Sequence, residues 1–374
     1  MTKMLGGSAT REGTRRYAEK RTGRLAAGHF RELAGGAAVS TLGLGTYLGS
    51  EDGATDVLYQ DAVVRALELG VNAIDTAVNY RHQRSERAIR TALATAIGRG
   101  VVQRDEVVVA TKGGFIPFDG TVPRDPRAYF AATYVETGII KPGDVAQGAH
   151  CMTPRYLRDQ IDRSRANLGL ETLDVYYLHN PETQLGEVDR VEFMVRVRAA
   201  FEALEEAVSA GSIARFGTAT WTGYRADPGD PAYLSLAELV AAARDVGGDD
   251  HHFNVIQLPY NLGMTEAFTR ANQRVNDRMV PLLEAARQLG VFVMASASLH
   301  QGQLMRLPPM IAEYIPGLDT DAQRALQFVR STPGIGTALV GMRAPAHVEE
   351  NAKVGAIPPM TWEHFQRLFS AAGG

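Results

Sequence analysis

A single cysteine, Cys151, among 374 residues leaves no partner for an intrachain disulfide and no set of thiols for a cysteine-rich metal site. That scarcity suits a reducing compartment, so a cytoplasmic location is expected. Surplus charge is missing as well. Lys and Arg number 39 against 42 Asp and Glu, a net charge of −3, too even for a chain that grips nucleic acid through bulk charge. Long apolar runs are also absent. Val291-Phe292-Val293-Met294-Ala295 is among the longest, far short of the about 20 residues that span a bilayer. Neither nucleic acid nor membrane is expected as a partner, and a homo-oligomer is left open. No repeat, low-complexity tract or Pro/Ser-rich linker divides the chain. What it does have is 45% hydrophobic residues, enough to exclude overall disorder and to build a substantial core.

Residues 1–27 carry Lys3, Arg11, Arg15, Arg16, Lys20, Arg21 and Arg24 against Glu12 and Glu19, with few large apolar side chains. The segment lacks the apolar centre of a secretory signal and reads as a basic, flexible N-terminal arm ahead of one domain over 28–374. At the other end, 361–371 reads as a closing helix with Trp362, Phe365, Leu368 and Phe369 on one stripe.

Between the ends, short β-branched runs alternate with amphipathic stretches. Strands are expected at 42–47, 73–77, 107–112, 174–179, 215–219, 254–258, 291–296 and 338–341. Most are continuous apolar runs, the pattern of strands covered on both faces. Helices are expected at 57–69, 85–97, 154–168, 192–210, 233–244, 276–289, 321–330 and 345–353, several closed by glycine, as at Gly70, Gly169, Gly211 and Gly290. An open doubly wound sheet shares this alternation, but eight βα units favour an α/β fold of the (β/α)8 TIM-barrel type. The stretch 113–153 interrupts the rhythm. It carries Phe115, Phe118, Tyr129, Phe130 and Tyr134, and a loop that long is usually functional; a lid over the barrel mouth is expected.

In such a barrel, reactive groups sit where strands give way to helices. Asp75 ends the second strand with Tyr80 in the loop beyond, Lys112 ends the third, and His179 ends the fourth. Taken singly, each is more often an ion pair, a cap or a satisfied core residue than a catalyst. Together, on three consecutive strands, they describe a proton relay. An ammonium beside a tyrosine lowers its phenolic pKa from about 10, an aspartate keeps the lysine charged, and a histidine orients a carbonyl oxygen.

At these residues the sequence resembles the aldo/keto reductase family. Asp75-Thr76-Ala77-Val78-Asn79-Tyr80, Lys112 and Leu178-His179-Asn180-Pro181-Glu182 match its hallmark stretches, and the likeness runs from about residue 28 to about 355. The resemblance implies NADPH-dependent reduction of an aldehyde, ketone or keto sugar. Tyr80 would be the proton donor, Lys112 and Asp75 its tuning pair, and His179 the carbonyl partner. It further implies NADP(H) bound without a Rossmann fold, no metal, and coenzyme contacts from Gly45, Thr46, Thr220, Gln257, Ser296, Leu299, Gly341, Arg343, His347, Glu350 and Asn351. Gln257 would take the carboxamide and Arg343 a 2′-phosphate. Substrate contacts are expected from Tyr47, Phe115, Asn180 and Trp221.

Three departures stand out. Gly217-Thr218-Ala219-Thr220-Trp221 offers a hydroxyl where the family commonly has Ser-Asn, and Ser296-Ala297-Ser298-Leu299 lacks the usual aromatic plate for the nicotinamide. Tyr80 is followed by a longer turn whose Arg81 and Arg84 meet either an anionic substrate or solvent. Three other readings stay open: a redox-neutral epimerase or lyase with tightly held NADP, a redox-sensing subunit like the potassium-channel β subunits, and a metal-dependent barrel hydrolase.

Overall fold

In the computed structural model, which describes residues 4–370, eight parallel strands close into a barrel in chain order. They are Leu42–Gly45, Ala73–Asp75, Val108–Gly113, Val175–His179, Phe216–Ala219, Phe253–Pro259, Phe292–Ser296 and Ile335–Gly341, numbered below as barrel strands one to eight. Their alternation explains the continuous apolar runs. Ala73, Val108, Ala110, Val175, Tyr177, Val255, Met294 and Leu339 meet inside the barrel. Their neighbours Ile74, Val109, Tyr176, Leu178, Ile256, Val293 and Val340 pack outward against the helices. Local chemistry sets the helix ends. The helix Pro154–Leu168 starts on proline and stops where Gly169 turns left-handed, and Asp52 caps Gly53–Leu69 by accepting from Thr55 N at 2.7 Å.

Three expectations are corrected. Over residues 4–27 the basic segment is a packed part of the barrel's N-terminal end, not a loose arm; residues 1–3 lie outside the described range. Leu5 N donates to Gly169 O at 2.8 Å. The helix Arg11–Glu19 buries Tyr17, whose hydroxyl donates to Leu67 O at 2.7 Å. Two of the segment's cations are spent on one neighbour: Arg16 and Lys20 both reach the buried Glu106, at 3.0 and 2.8 Å. The following hairpin, Phe30–Glu32 with Ala38–Ser40, brings Leu33 and Val39 into the barrel's interior cluster and closes that end.

The helix expected over 276–289 begins late. Ala271–Val275 and Arg278–Pro281 form an antiparallel hairpin turning at Asn276 and Asp277, both left-handed, and only Leu282–Gln288 is helical.

The insertion at 113–153 is a buttress on the barrel's flank instead of a lid. A short helix, Pro126–Phe130, runs into a single π-turn, and Tyr134, Ile140 and Cys151 form a small core with Tyr156. Its aromatic side chains bury against one another and the helix Pro154–Leu168. Tyr134 OH donates to Pro117 O at 2.9 Å, and the Arg163 guanidinium lies 5.3 Å from the Tyr134 ring. Gln83 Nε2 holds Phe118 O at 2.8 Å, and Arg87 meets Asp119 at 2.6 Å. At the C-terminus, Phe365 of Trp362–Ser370 stacks on Phe328 at 5.5 Å; residue 371 lies outside the described range.

Candidate active site

The C-terminal mouth of the barrel opens into a cavity of about 740 Å³. Register brings the strand-end residues together at its floor, with Asp75 and His179 in the wall and Lys112 buried just beneath. Asp75 lies opposite Ala110, and Lys112 stands two residues further along the same face, so its stem reaches back over the carboxylate. Lys112 Nζ is 2.7 Å from Asp75 Oδ2, 2.8 Å from Thr76 O and 3.3 Å from Tyr80 OH. Its three donors are therefore all used. The Tyr80 and His179 rings face each other edge-on at 6.0 Å. The four expected residues converge.

Electrostatics refine the expectation for Tyr80. Burial pushes its phenol above the ordinary value, and Lys112 pulls in the opposite direction without cancelling that effect. The hydroxyl thus keeps its proton at neutral pH, which suits an acid better than the lowered pKa anticipated from the ammonium alone. Burial also works against the Lys112 ammonium, but Asp75 and Tyr80 outweigh it and hold the charge in place. His179 is driven well below its usual range by burial, and then by Lys112 and His150. It is a neutral imidazole. Its Nδ1 is buried with no hydrogen-bond partner. A bare lone pair is cheaper to strand there than an N–H, so the hydrogen sits on Nε2, free to donate.

The other expected residues divide cleanly. Gly45, Thr46, Thr220, Gln257, Ser296, Leu299, Gly341, His347, Glu350 and Asn351 all line the cavity, as do Tyr47, Phe115, Asn180 and Trp221. Phe115 is the insertion's one contribution to that wall among the described residues. Arg343 is not in the wall; it is exposed at the rim, alongside Gly49. Gln257 is partly committed, since its Nε2 donates to Asp75 Oδ1 at 2.7 Å. Neither Arg81 nor Arg84 is in the cavity wall: both pair with Asp56, the buried Arg81 also donates to Ser50 O at 2.8 Å, and Arg84 is partly exposed. Arg81, His82 and Gln83 form a left-handed turn that swings these side chains away from the cavity.

Several wall residues were not among the expected contacts. Leu48, Asn79, Ala219, Ala297, Ser298, Gln301, Gly302, Met305, Leu339 and Val340 also line the cavity, half of them on the loop after the seventh strand, where Ala297, His300 and Gln301 hold positive φ without being glycine. Nothing local announces such a bend. Glu182, the acid of the Leu-His-x-Pro-acid stretch, accepts from the amides of Trp221, Thr222 and Gly223 at 3.0, 3.1 and 3.3 Å. It thereby anchors the loop that presents Trp221.

A dinucleotide fits this lining chemically. Thr220 Oγ1 and Asn351 Oδ1 are buried polar atoms without partners in the cavity wall, and such atoms call for a polar ligand.

The comparisons agree. A 6-dehydroglucose reductase of Novosphingobium aromaticivorans is 27% identical over 198 residues, 52% of each protein. A D-threo-aldose 1-dehydrogenase of Pseudomonas is 28% identical over 152 residues, 41% of this chain and 40% of that protein. The matched stretch thus spans about half or less of these relatives. A crystal structure of an aldo/keto reductase from Klebsiella pneumoniae in complex with NADP and acetate superposes with a TM-score of 0.61 at 21% identity, covering 92% of this chain and 95% of that one. The sequence model of the Aldo/keto reductase family matches residues 41–307. That match covers most of the chain, and with it the barrel and the strand-end motifs acquire a common origin: this protein belongs to the aldo/keto reductase family.

Proposed function

We propose that this protein reduces the carbonyl of a small, uncharged substrate, such as an aldehyde or keto sugar, using NADP(H). The observation that carries the reading is the Lys112 ammonium bridging Asp75 and Tyr80 from just beneath the floor of the cavity, with no exposure of its own. The nicotinamide, once held, would supply the hydride for the carbonyl carbon. Tyr80 gives its phenolic proton to the carbonyl oxygen as negative charge develops there, and Lys112 stabilises the phenolate left behind. Asp75 keeps the lysine charged and aimed. His179 donates from Nε2 to the same oxygen and orients it.

Gly45, Thr46, Thr220, Gln257, Ser296, Leu299, Gly341, His347, Glu350 and Asn351 would hold the coenzyme, with Arg343 at the rim for its 2′-phosphate. Among the described residues, no Lys or Arg side chain lines the cavity. A carboxylate or phosphate on the substrate would lose its hydration there without gaining a counter-ion. Tyr47, Phe115 and Trp221 offer flat faces to a neutral molecule instead. The names of the two relatives, for 6-dehydroglucose and D-threo-aldose, support this reading.

A panel of neutral and anionic carbonyl compounds with NADPH tests it, read as coenzyme oxidation. Tyr80→Phe is expected to lower kcat by about 10²–10⁴-fold while coenzyme binding, followed by fluorescence, stays near the wild-type value. Wild-type rates in that variant would remove Tyr80 from the role. Turnover without net NADPH consumption would move the site to a redox-neutral conversion.

A further inference from the structure

The insertion returns to the barrel at His150, which is completely buried. Its Nε2 lies 2.7 Å from the main-chain oxygen of His179. A carbonyl only accepts, so Nε2 carries the ring hydrogen and Nδ1 is left as an acceptor. Gln184 Nε2 meets Nδ1 at 2.8 Å, while the oxygen of the same amide is held 2.6 Å from Arg196 Nη1. With its oxygen engaged by a guanidinium, Gln184 has only its NH2 group to offer. The relay from Arg196 through Gln184 and His150 to His179 therefore selects one neutral tautomer. Burial pushes the ring's pKa down to about 4, against the opposing pull of the His179 carbonyl, so that form persists across the neutral range.

The carbonyl at the end of this relay belongs to the peptide joining His179 to Asn180. The N–H of that same peptide donates to Ala219 O at 2.6 Å. One peptide group is gripped at both polar ends. Asn180 is left-handed, at φ 46 and ψ 59, a conformation that non-glycine residues adopt at a cost. Rotating this peptide would relieve that cost, and would swing the side chains of His179 and Asn180, both part of the cavity wall. Gly114 makes the grip possible: at φ +147, a Cβ there would stand 2.7 Å from His150 Nε2 and 2.8 Å from His179 O. Phe115 then packs edge-on against both imidazoles, at 5.2 and 5.1 Å.

We propose that His150 is a positioning residue: by holding the His179–Asn180 peptide it aims the His179 donor at the substrate oxygen, which is what the long insertion contributes to the reaction. This rests on the reductase reading above.

The test compares His150→Phe, which removes the donor, with His150→Gln, which keeps an N–H, and with Gln184→Leu, a milder change should the first fail to fold. In His150→Phe, kcat/KM for the carbonyl is expected to fall about tenfold to hundredfold, with coenzyme affinity by fluorescence nearly unchanged. His150→Gln should recover most of the loss, and Gln184→Leu should show an intermediate one. NMR of 15N-histidine-labelled protein gives a readout independent of turnover. Wild-type His150 should appear as a single Nε2–H tautomer, and the His179 ring signals should shift in His150→Phe and in Gln184→Leu. Unmoved His179 signals, or wild-type kcat/KM in His150→Phe, would overturn the proposal. So would equal losses in His150→Phe and His150→Gln accompanied by a parallel loss of coenzyme affinity. A wild-type protein that reduces no carbonyl would instead overturn the reductase reading and leave the NMR arm to judge the grip itself.

Discussion

Lys112 has no solvent exposure, and a buried ammonium survives only because its three hydrogens meet Asp75, Thr76 O and Tyr80. Removing one member of such a pair strands the other charge. Lys112→Met is therefore expected to cost about 3–5 kcal/mol in urea denaturation and to abolish reduction, since Asp75 keeps only the Gln257 amide as partner. Adding Asp75→Asn should restore much of the stability and none of the activity. Full activity in the double variant would separate the pair from the chemistry. At this scale, the four residues were legible in the sequence because Asp75, Lys112 and His179 close strand runs and Tyr80 lies in the loop just after one, and strand polarity sends such residues to one end of a barrel. Arg81 and Arg84 were not legible. Their partner Asp56 lies on another helix, and no local pattern indicates that the turn after Tyr80 runs left-handed. The net direction of the Tyr80 shift was likewise invisible, because it depends on how much of the ring the neighbouring strands bury.

Among the elements, the hairpin Phe30–Glu32 with Ala38–Ser40 is the least expected and has a clear job. A closed parallel sheet leaves its interior open to water at the N-terminal end, and Leu33 and Val39 fill that opening against Ala73, Val108 and Val175. Leu33→Ala should cost about 2–5 kcal/mol, read as a lowered urea midpoint, and leave KM for both substrates unchanged because the cavity lies at the opposite end. A raised KM at wild-type stability would mean that the hairpin acts on the site. The strands forming the barrel could be read from their composition, since they are covered on both faces and most are predominantly apolar. The hairpin at 271–281 could not be separated from the helix after it, because Val275, Val280, Leu282, Leu283, Ala285 and Ala286 supply apolar positions compatible with either period. The insertion's aromatic residues announced packing, but not against what. They found the barrel's flank, and only Phe115 turned inward.

For the molecule as a whole, pH links these parts. Burial, aided by Arg330, holds His29 down to about 4; burial, opposed by the His179 carbonyl, holds His150 down to about 4; His179 is displaced in the same direction. The unfolded chain binds protons at these positions near pH 6.5 that the folded chain refuses. The stability they contribute is complete above about pH 6.5 and is lost as pH falls toward 4, at about 3 kcal/mol for each of His29 and His150. Glu86 and Glu182, raised by burial, act in the opposite sense around and above their usual range. The expected outcome is a thermal midpoint that drops steadily between about pH 6.5 and 5, with His29→Leu flattening the decline. A flat profile there would contradict neutral burial of these rings.

Taken alone, the amino-acid order determined the alternation of eight strands with their helices and the placement of Asp75, Lys112 and His179 at strand ends, with Tyr80 in the loop just beyond. Both are properties of contiguous stretches, where period and punctuation act within a few residues. The tertiary structure decided which cations are spent on distant carboxylates, which end of the barrel the basic N-terminal segment closes, that the insertion braces the flank, and that His150 reaches the peptide beside His179. Each of those outcomes depends on burial and on partners tens to hundreds of residues away in the chain, and only the closed barrel brings them within hydrogen-bonding distance.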